Sequence, residues 1–164
     1  MSRPQRRIPK HKPLIALLDR ANRMFQAEMV RKAHADGHTE VKMAHNSVFG
    51  TLHGEGARAA DMAARAGITR QSMGEVIREM VALDLLEMKA DPNDRRAKIV
   101  TYTEHGLEVA WDGFEYLADL EELFEQEFGE QEYAIVRDVL ERLIVLLDKL
   151  SSDQDSPSAG GSVG

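Results

Sequence analysis

Residues 58–103 constrain the fold of this chain most, because they hold two helical patterns joined at a glycine. A run of small residues at 59–66 ends at Gly67, and glycine ends helices because it leaves right-handed backbone space at little cost. Thr69 can cap a second helix, whose apolar residues take the i, i+3, i+4 and i+7 positions of one buried face: Met73, Val76, Ile77 and Met80. The pattern predicts a helix-turn-helix.

A β-hairpin is predicted directly after these helices. Apolar residues alternate at Leu86, Met88 and Ala90 and again at Val100 and Tyr102, on either side of the turn-forming run DPNDRRA. This order of elements, short helices followed by a hairpin with a basic tip, is typical of a winged helix-turn-helix. The predicted fold class is therefore mainly α with a small β-hairpin wing (α+β), and the flanking helices add a helical dimerisation domain.

The polar face of the second helix and the hairpin tip hold the candidate DNA-binding residues. Side chains beside the apolar stripe suit phosphates and base edges in the major groove, and guanidinium groups at the tip suit a phosphate ridge or a narrow minor groove. Asp94 is placed to orient the fork of Arg96. The helix candidates are Thr69, Arg70, Gln71, Ser72, Gly74, Glu75 and Arg78, and the tip candidates are Asp94, Arg95, Arg96 and Lys98.

The formal net charge of -7 counts at first against a nucleic-acid partner, but the charges are unevenly distributed. Residues 1–42 carry a net +6, residues 43–110 a net -2, and residues 111–164 a net -11. The acidic residues are therefore concentrated outside the predicted DNA-reading unit. This distribution predicts moderate DNA affinity with a clear salt dependence, rather than indiscriminate coating of DNA.

The flanking segments predict the domain organisation. Residues 1–12 form a basic, disordered arm, and residues 151–164 a polar, disordered tail. Between them we expect one domain at 13–150, with the winged helix-turn-helix at about 39–103 and dimerisation helices at about 13–37 and 104–150. Within it, a helix at about 39–53 presents one apolar face: Val41, Ala44, Val48 and Leu52. The stripe of the last helix is too wide for one neighbour, which predicts a two-fold homodimer on a pseudo-palindromic site.

Several functional classes are excluded by absences from the sequence. The chain has no cysteine, which excludes disulfides, thiolate metal sites and cysteine-based redox sensing. It has no apolar run of membrane-spanning length and no export signal, so we expect a cytoplasmic protein. It has no phosphate-binding glycine loop and no nucleophile elbow, so we expect neither an enzyme nor a cofactor.

The chain resembles the MarR family of bacterial transcriptional regulators over residues 13–150. The resemblance rests on the segments AARAGITRQSMGEVIREM, DPNDRRAK and YTEHG. It implies a homodimer built by helices 1, 5 and 6, with helix 4 in the major groove. It also implies that Arg96 enters the minor groove with Asp94 as its orienting partner. Many relatives are controlled by a small aromatic or phenolic ligand in a cleft near helices 1, 2 and 5, but the resemblance names no ligand-binding residues.

Histidines provide the candidates for a ligand or metal site. His45, near the expected cleft, can bind an acidic ligand or act as a protonation switch, and the alternative is a packed or exposed histidine. His34 and His38 are spaced i, i+4, but the helix is expected to end at Gly37, so solvated loop histidines are favoured over metal ligands. Trp111 and Tyr116 are interpreted as packing residues rather than a ligand box.

The sequence favours a dimeric repressor that binds an inverted-repeat operator and is released by a small molecule. Repression is the habit of the resembled family. The alternatives are an activator without a small-molecule effector, a ligand carrier without DNA activity, and a winged-helix module that docks a protein partner. The net acidity and Glu75 on the reading face motivate the last of these.

Overall fold

The computed structural model describes residues 10–92 and 94–154, and the chain forms two compact units that meet within one helix, between Tyr116 and Leu117. The first unit contains α1 (Leu14–Ala35), a 3₁₀ turn (Met43–His45), α2 (Asn46–Phe49), α3 (Ala59–Ala66), α4 (Arg70–Ala82), β1 (Leu86–Asp91), β2 (Asp94–Tyr102) and the start of α5 (Glu104–Phe128). The second contains the rest of α5 and α6 (Glu130–Gln154). The fold is mainly helical with a two-stranded antiparallel hairpin, as the sequence predicted.

The core of the first unit is built from every element of the winged helix-turn-helix. Most of its apolar residues are ones that the helical and strand periodicity of the sequence predicted to be buried. Burial of each large side chain stabilises the fold by about 1.5–3 kcal/mol. The buried residues are Val41, Val48, Leu52, Ala57, Met62, Ala63, Met73, Ile77, Met80, Leu85, Leu86, Val100 and Val109. This core holds α4 and the base of the hairpin in one body.

The single helix expected at 39–53 is wrong, because the chain forms a 3₁₀ turn and a four-residue helix instead. Lys42 is extended, and its backbone N–H donates to Nδ1 of His45 at 3.2 Å, so the helical turn begins only after it. Val41, Val48 and Leu52 are buried as predicted, but in the shorter helical segment Ala44 is exposed and His45 is buried.

The hairpin pairs Leu86 with Tyr102 and Met88 with Val100, and its register shifts between Ala90 and Asp91. Val100 is fully buried because it also forms an antiparallel bridge to Ala57, with backbone distances of 2.9 and 3.1 Å. Met88 and Ala90 are exposed, although the alternation predicted one covered face. The outer half of the hairpin therefore projects beyond the core.

The ends of the chain differ in part from the expectation. The disordered arm was predicted at 1–12, of which residues 1–9 lie outside the described residues, as do residues 155–164 of the predicted tail. Residues 151–154 belong to α6, where the hydroxyls of Ser151 and Ser152 donate to the carbonyls of Leu147 and Asp148 one turn earlier. The two compact units meet inside α5, and the single domain expected at 13–150 stays a prediction. No helix in the described ranges is long and apolar enough to cross a bilayer.

Candidate nucleic-acid interface

The start of α4 is fixed by a turn and a cap that the sequence predicted. Gly67 ends α3 in the left-handed region at φ 65°, which is costly for any residue with a Cβ. Thr69 is the N-cap of α4, and its hydroxyl accepts from the backbone N–H of Ser72 at 3.0 Å. The hydroxyls of Thr69 and Ser72 are also 2.8 Å apart, so both candidates are engaged in ordering the first turn.

The helix presents one buried and one polar face. Met73, Ile77 and Met80 are buried, whereas the predicted reading residues share the exposed side: Arg70, Gln71, Ser72, Glu75 and Arg78. Nε2 of Gln71 donates to Oε1 of Glu75 at 3.1 Å, which fixes these two side chains relative to each other. The face therefore carries two guanidiniums at its ends and an amide–carboxylate pair between them.

Gly74 lies in the middle of this face without a side chain. A Cβ built at Gly74 would lie 3.4 Å from Nη1 of Arg78, so the arginine folds back across the bare backbone. Long side chains on helices point toward the N-terminus in this way. The result is a flat patch at the centre of the exposed face, bordered by Glu75 and Arg78.

The hairpin places the tip candidates at the start of β2. Asp94, Arg95 and Arg96 begin this strand, and Lys98 is exposed opposite Ala90. The side chains of Arg95 and Arg96 lie outside the described residues, so the expected pairing of Asp94 with Arg96 remains a prediction. Oδ2 of Asp94 lies 3.7 Å from Nη2 of Arg58, a neighbour that sequence reasoning did not assign to it.

Arg58 also forms a closer contact with the wing, which sequence reasoning missed. Its Nε and Nη2 lie 2.8 and 2.6 Å from Oδ2 of Asp91, a side chain that is only 7% exposed. This hydrogen bond to a carboxylate raises the pKa of Arg58. The two residues are 33 positions apart, so no local spacing signals the pair.

His45 is a packed histidine in this structure. The ring is fully buried, Nδ1 accepts from the backbone of Lys42, and Nε2 has no hydrogen-bond partner but lies 3.7 Å from Oε2 of Glu79 on α4. Burial lowers the pKa of His45 despite the nearby carboxylate, because desolvation disfavours the charged ring. The ring is therefore packed beside Glu79 of α4 rather than on an open surface.

The other histidine and aromatic candidates have separate environments. Nε2 of His34 donates to the carbonyl of Val41 at 2.7 Å, whereas Nε2 of His38 lies 2.9 Å from Asp112. Among the residues that the structure describes, no three potential metal ligands cluster. Tyr116 hydrogen-bonds Glu28, but Trp111 is 60% exposed. Trp111 packs edge-on against Phe114, with ring centroids 6.1 Å apart, and is otherwise exposed.

Comparison with known proteins shows what this fold is similar to. A sequence model described as MarR family matches residues 44–97, the segment from the 3₁₀ turn to the wing. The similarity to the MarR family therefore lies in the winged helix-turn-helix. The resemblance inferred from the segments around Gly67 and Asp94 is confirmed. No curated protein matches the chain in sequence.

Solved structures share the fold over most of the chain. A crystal structure of MarR is 21% identical with a TM-score of 0.72, covering 90% of this chain and 99% of that one. A MarR regulator from Methanosarcina mazei Go1 is 17% identical with a TM-score of 0.71, covering 84% and 97%. PcaV from Streptomyces coelicolor, solved with its natural ligand, is 23% identical with a TM-score of 0.60, covering 80% and 89%. These likenesses establish the fold.

Proposed function

We propose that this MarR-family protein is a homodimeric transcriptional repressor that binds an inverted-repeat operator and is released by a small molecule. The observation that carries the proposal is the exposed polar face of α4 standing beside a two-stranded wing. In winged-helix readers, such a helix enters the major groove while the hairpin reaches the adjacent backbone or minor groove.

The chemistry of the α4 face supports base reading flanked by phosphate contacts. Arg70 and Arg78 carry the positive charge of this face, and within the part of the chain that the structure describes neither forms an ion pair with a carboxylate of the face. Gln71 can donate and accept on adenine, and Glu75 can accept from the exocyclic amine of cytosine. Because the Gln71–Glu75 hydrogen bond fixes both side chains, the pair is arranged to discriminate bases rather than to neutralise phosphates.

The apolar surface supports the dimer. On α6, large apolar side chains stay about half exposed along one broad stripe: Val136, Val139, Leu146, Leu147 and Leu150. On α5, Trp111, Leu123 and Phe128 are also exposed. Many large apolar side chains left exposed on one helix face mark an interaction site in soluble proteins. A second copy of the same helices gives a closed two-fold contact and two reading heads.

The proposed control of DNA binding by a ligand is supported by one similar structure. No ligand-binding residue is assigned in this chain. PcaV was solved in complex with its natural ligand on the same fold. We propose a small-molecule effector for this chain as well, which shifts the population toward a state with lower DNA affinity. The binding residues stay unassigned, since His45 is buried in this structure.

A protein-docking module is the second candidate function. The observation that favours it is the net negative charge of residues 111–164. Such a module keeps the winged fold but uses its charged surface for a protein partner. It predicts no sequence-selective DNA binding by the purified protein.

Arg96→Ala is expected to lower operator affinity by about 1–3 kcal/mol, because the substitution removes a guanidinium from the wing. The measurement is selection of bound genomic fragments by the purified protein at about 150 mM salt, followed by titration of the enriched sequence. The wild-type protein should enrich an inverted repeat that the variant binds weakly.

Arg142→Ala is the matched control, because it removes the same charge from a highly exposed ion pair with Asp138 on α6. Its operator affinity should match that of the wild-type protein. If neither the wild-type protein nor the variants enrich any sequence, the DNA-binding proposal fails and the protein-docking module replaces it.

Gly74→Ala separates helix stability from DNA reading. The added methyl meets only Nη1 of Arg78 at 3.4 Å, so the free energy of unfolding should rise by about 0.5–1 kcal/mol through better helix propensity. If the bare patch approaches DNA, the same methyl should weaken operator binding roughly tenfold, or about 1.4 kcal/mol. Thermal unfolding and DNA titration of one preparation measure both quantities. Unchanged DNA affinity in the more stable variant would place Gly74 outside the contact.

A further inference from the structure

The outer half of the wing projects beyond the core and needs an anchor to keep its tip in place. Met88 and Ala90 are exposed, and the register of the strands shifts between Ala90 and Asp91. Ala57 holds the inner half through its backbone bridge to Val100. The next residue along the chain, Arg58, extends its side chain to the outer half.

Arg58 contacts both carboxylates that flank the tip. Its Nη2 lies 2.6 Å from Asp91 and 3.7 Å from Asp94. Asp91 and Asp94 are cross-strand partners in the hairpin register. Like charges directly opposite each other on neighbouring strands destabilise the pairing, and a guanidinium that reaches both of them offsets this repulsion.

The surroundings make the Asp91 contact more than a surface ion pair. The side chain of Asp91 is 7% exposed and that of Arg58 44% exposed, so the carboxylate end of the contact is screened from water while the arginine remains partly solvated. Two donors of one guanidinium converge on a single carboxylate oxygen. The side chain of Arg58 makes no capping hydrogen bond to α3. Replacing Arg58 therefore removes no helix cap.

We propose that Arg58 is a positioning residue for the wing: it ties the tip of the hairpin to the start of α3 and so fixes where Arg95 and Arg96 meet DNA. The inference rests on the proposed DNA-binding function for its consequence, but the tie itself is a property of the free protein. Arg58 acts through the wing, and Asp91 is the group it holds.

The experiment compares Arg58→Ala, Asp91→Asn and Arg96→Ala, singly and as the double variant of Arg58 with Arg96. A positioning role predicts that Arg58→Ala and Asp91→Asn both weaken operator binding, each by about tenfold. It also predicts that Arg58→Ala adds little once Arg96 is absent, because both changes disable the same contact. If Arg58 instead binds a phosphate directly, Asp91→Asn should strengthen binding and the effects of Arg58→Ala and Arg96→Ala should add, and either result overturns the proposal.

Hydrogen exchange in the absence of DNA tests the tie independently. Backbone amides at 88–98 should exchange roughly tenfold faster in Arg58→Ala, while amides of α4 stay near wild-type values. Unchanged exchange at the wing overturns the proposal whatever the DNA result. If exchange rises but Arg96→Ala has no effect on DNA binding, the proposed function fails while the structural tie stands.

Discussion

Leu147→Glu is expected to convert the protein from a dimer to a monomer at micromolar concentration. Leu147 is 53% exposed in the single chain and lies in the apolar stripe of α6 with Leu143 and Leu150. A buried leucine contributes about 1.5–3 kcal/mol, and a carboxylate in the same place loses this and must be desolvated without a partner. Because a two-fold interface contains the residue twice, we expect the dimer dissociation constant to rise by more than about 100-fold.

Operator affinity should fall when the dimer dissociates, because a monomer has one reading head and makes only half of the contacts. Specific dimeric readers bind about 10³-fold or more tighter than nonspecific complexes, and a monomer should lose most of this difference. Sedimentation equilibrium measures the dimer, and titration of the inverted repeat measures the DNA affinity.

Ala134→Glu is the matched control for Leu147→Glu. It introduces the same charge on the same helix at an exposed residue, and the 3.6-residue period places it on the side opposite the stripe. This variant should remain dimeric and bind the operator. A dimeric Leu147→Glu variant would show that the stripe of α6 is not the dimer interface.

Gly106→Ala is expected to destabilise the protein by at least roughly 3 kcal/mol, because the added methyl overpacks a backbone contact. A Cβ at Gly106 would lie 1.8 Å from the carbonyl oxygen of Leu85 and 2.6 Å from its carbonyl carbon. The contact cannot open locally, since Thr103 bonds the carbonyl of Asp84 and caps the N–H of Gly106 at 2.9 Å. Calorimetry should show a midpoint lower by roughly 10 °C.

Gly113→Ala makes the same chemical change further along α5, and its effect on the free energy of unfolding should have the opposite sign. Its Cβ meets only Cε of Met29 at 3.6 Å, an ordinary contact. Replacing a helical glycine with alanine then raises the free energy of unfolding by up to about 1 kcal/mol. If both variants are destabilised equally, backbone packing at Leu85 is not what requires glycine at position 106.

The reading helix was predictable because its determinants are local. The left-handed turn at Gly67, the cap at Thr69 and the spacing of Met73, Ile77 and Met80 all act within one or two turns of chain. The polar side of α4 follows directly, because once one face is buried the other is fixed by helical geometry. The order of the hairpin was predictable for the same reason, since alternation and turn residues are short-range signals.

The segment before α3 was mispredicted because its apolar spacing fits two backbones. Val41, Val48 and Leu52 are buried although no helix spans 39–53, and the hydrogen bond from the backbone of Lys42 to the ring of His45 lies at the start of the shorter helical segment. Burial of His45 beneath α4 is likewise decided by which side that turn faces. Periodicity carries no information on such a choice between near-equal alternatives.

The sequence alone determined the resemblance to the MarR family, the elements from α3 to β2 and the exposed face of α4, because capping, turn formation and amphipathic burial depend on residues that are neighbours along the chain. Only the tertiary structure decided which distant side chains meet. It placed Arg58 against Asp91, brought the backbone of Leu85 onto Gly106 and left Trp111 exposed. These contacts arise when separate elements pack on a common core, and the energy of that packing is not encoded in the spacing of any one segment.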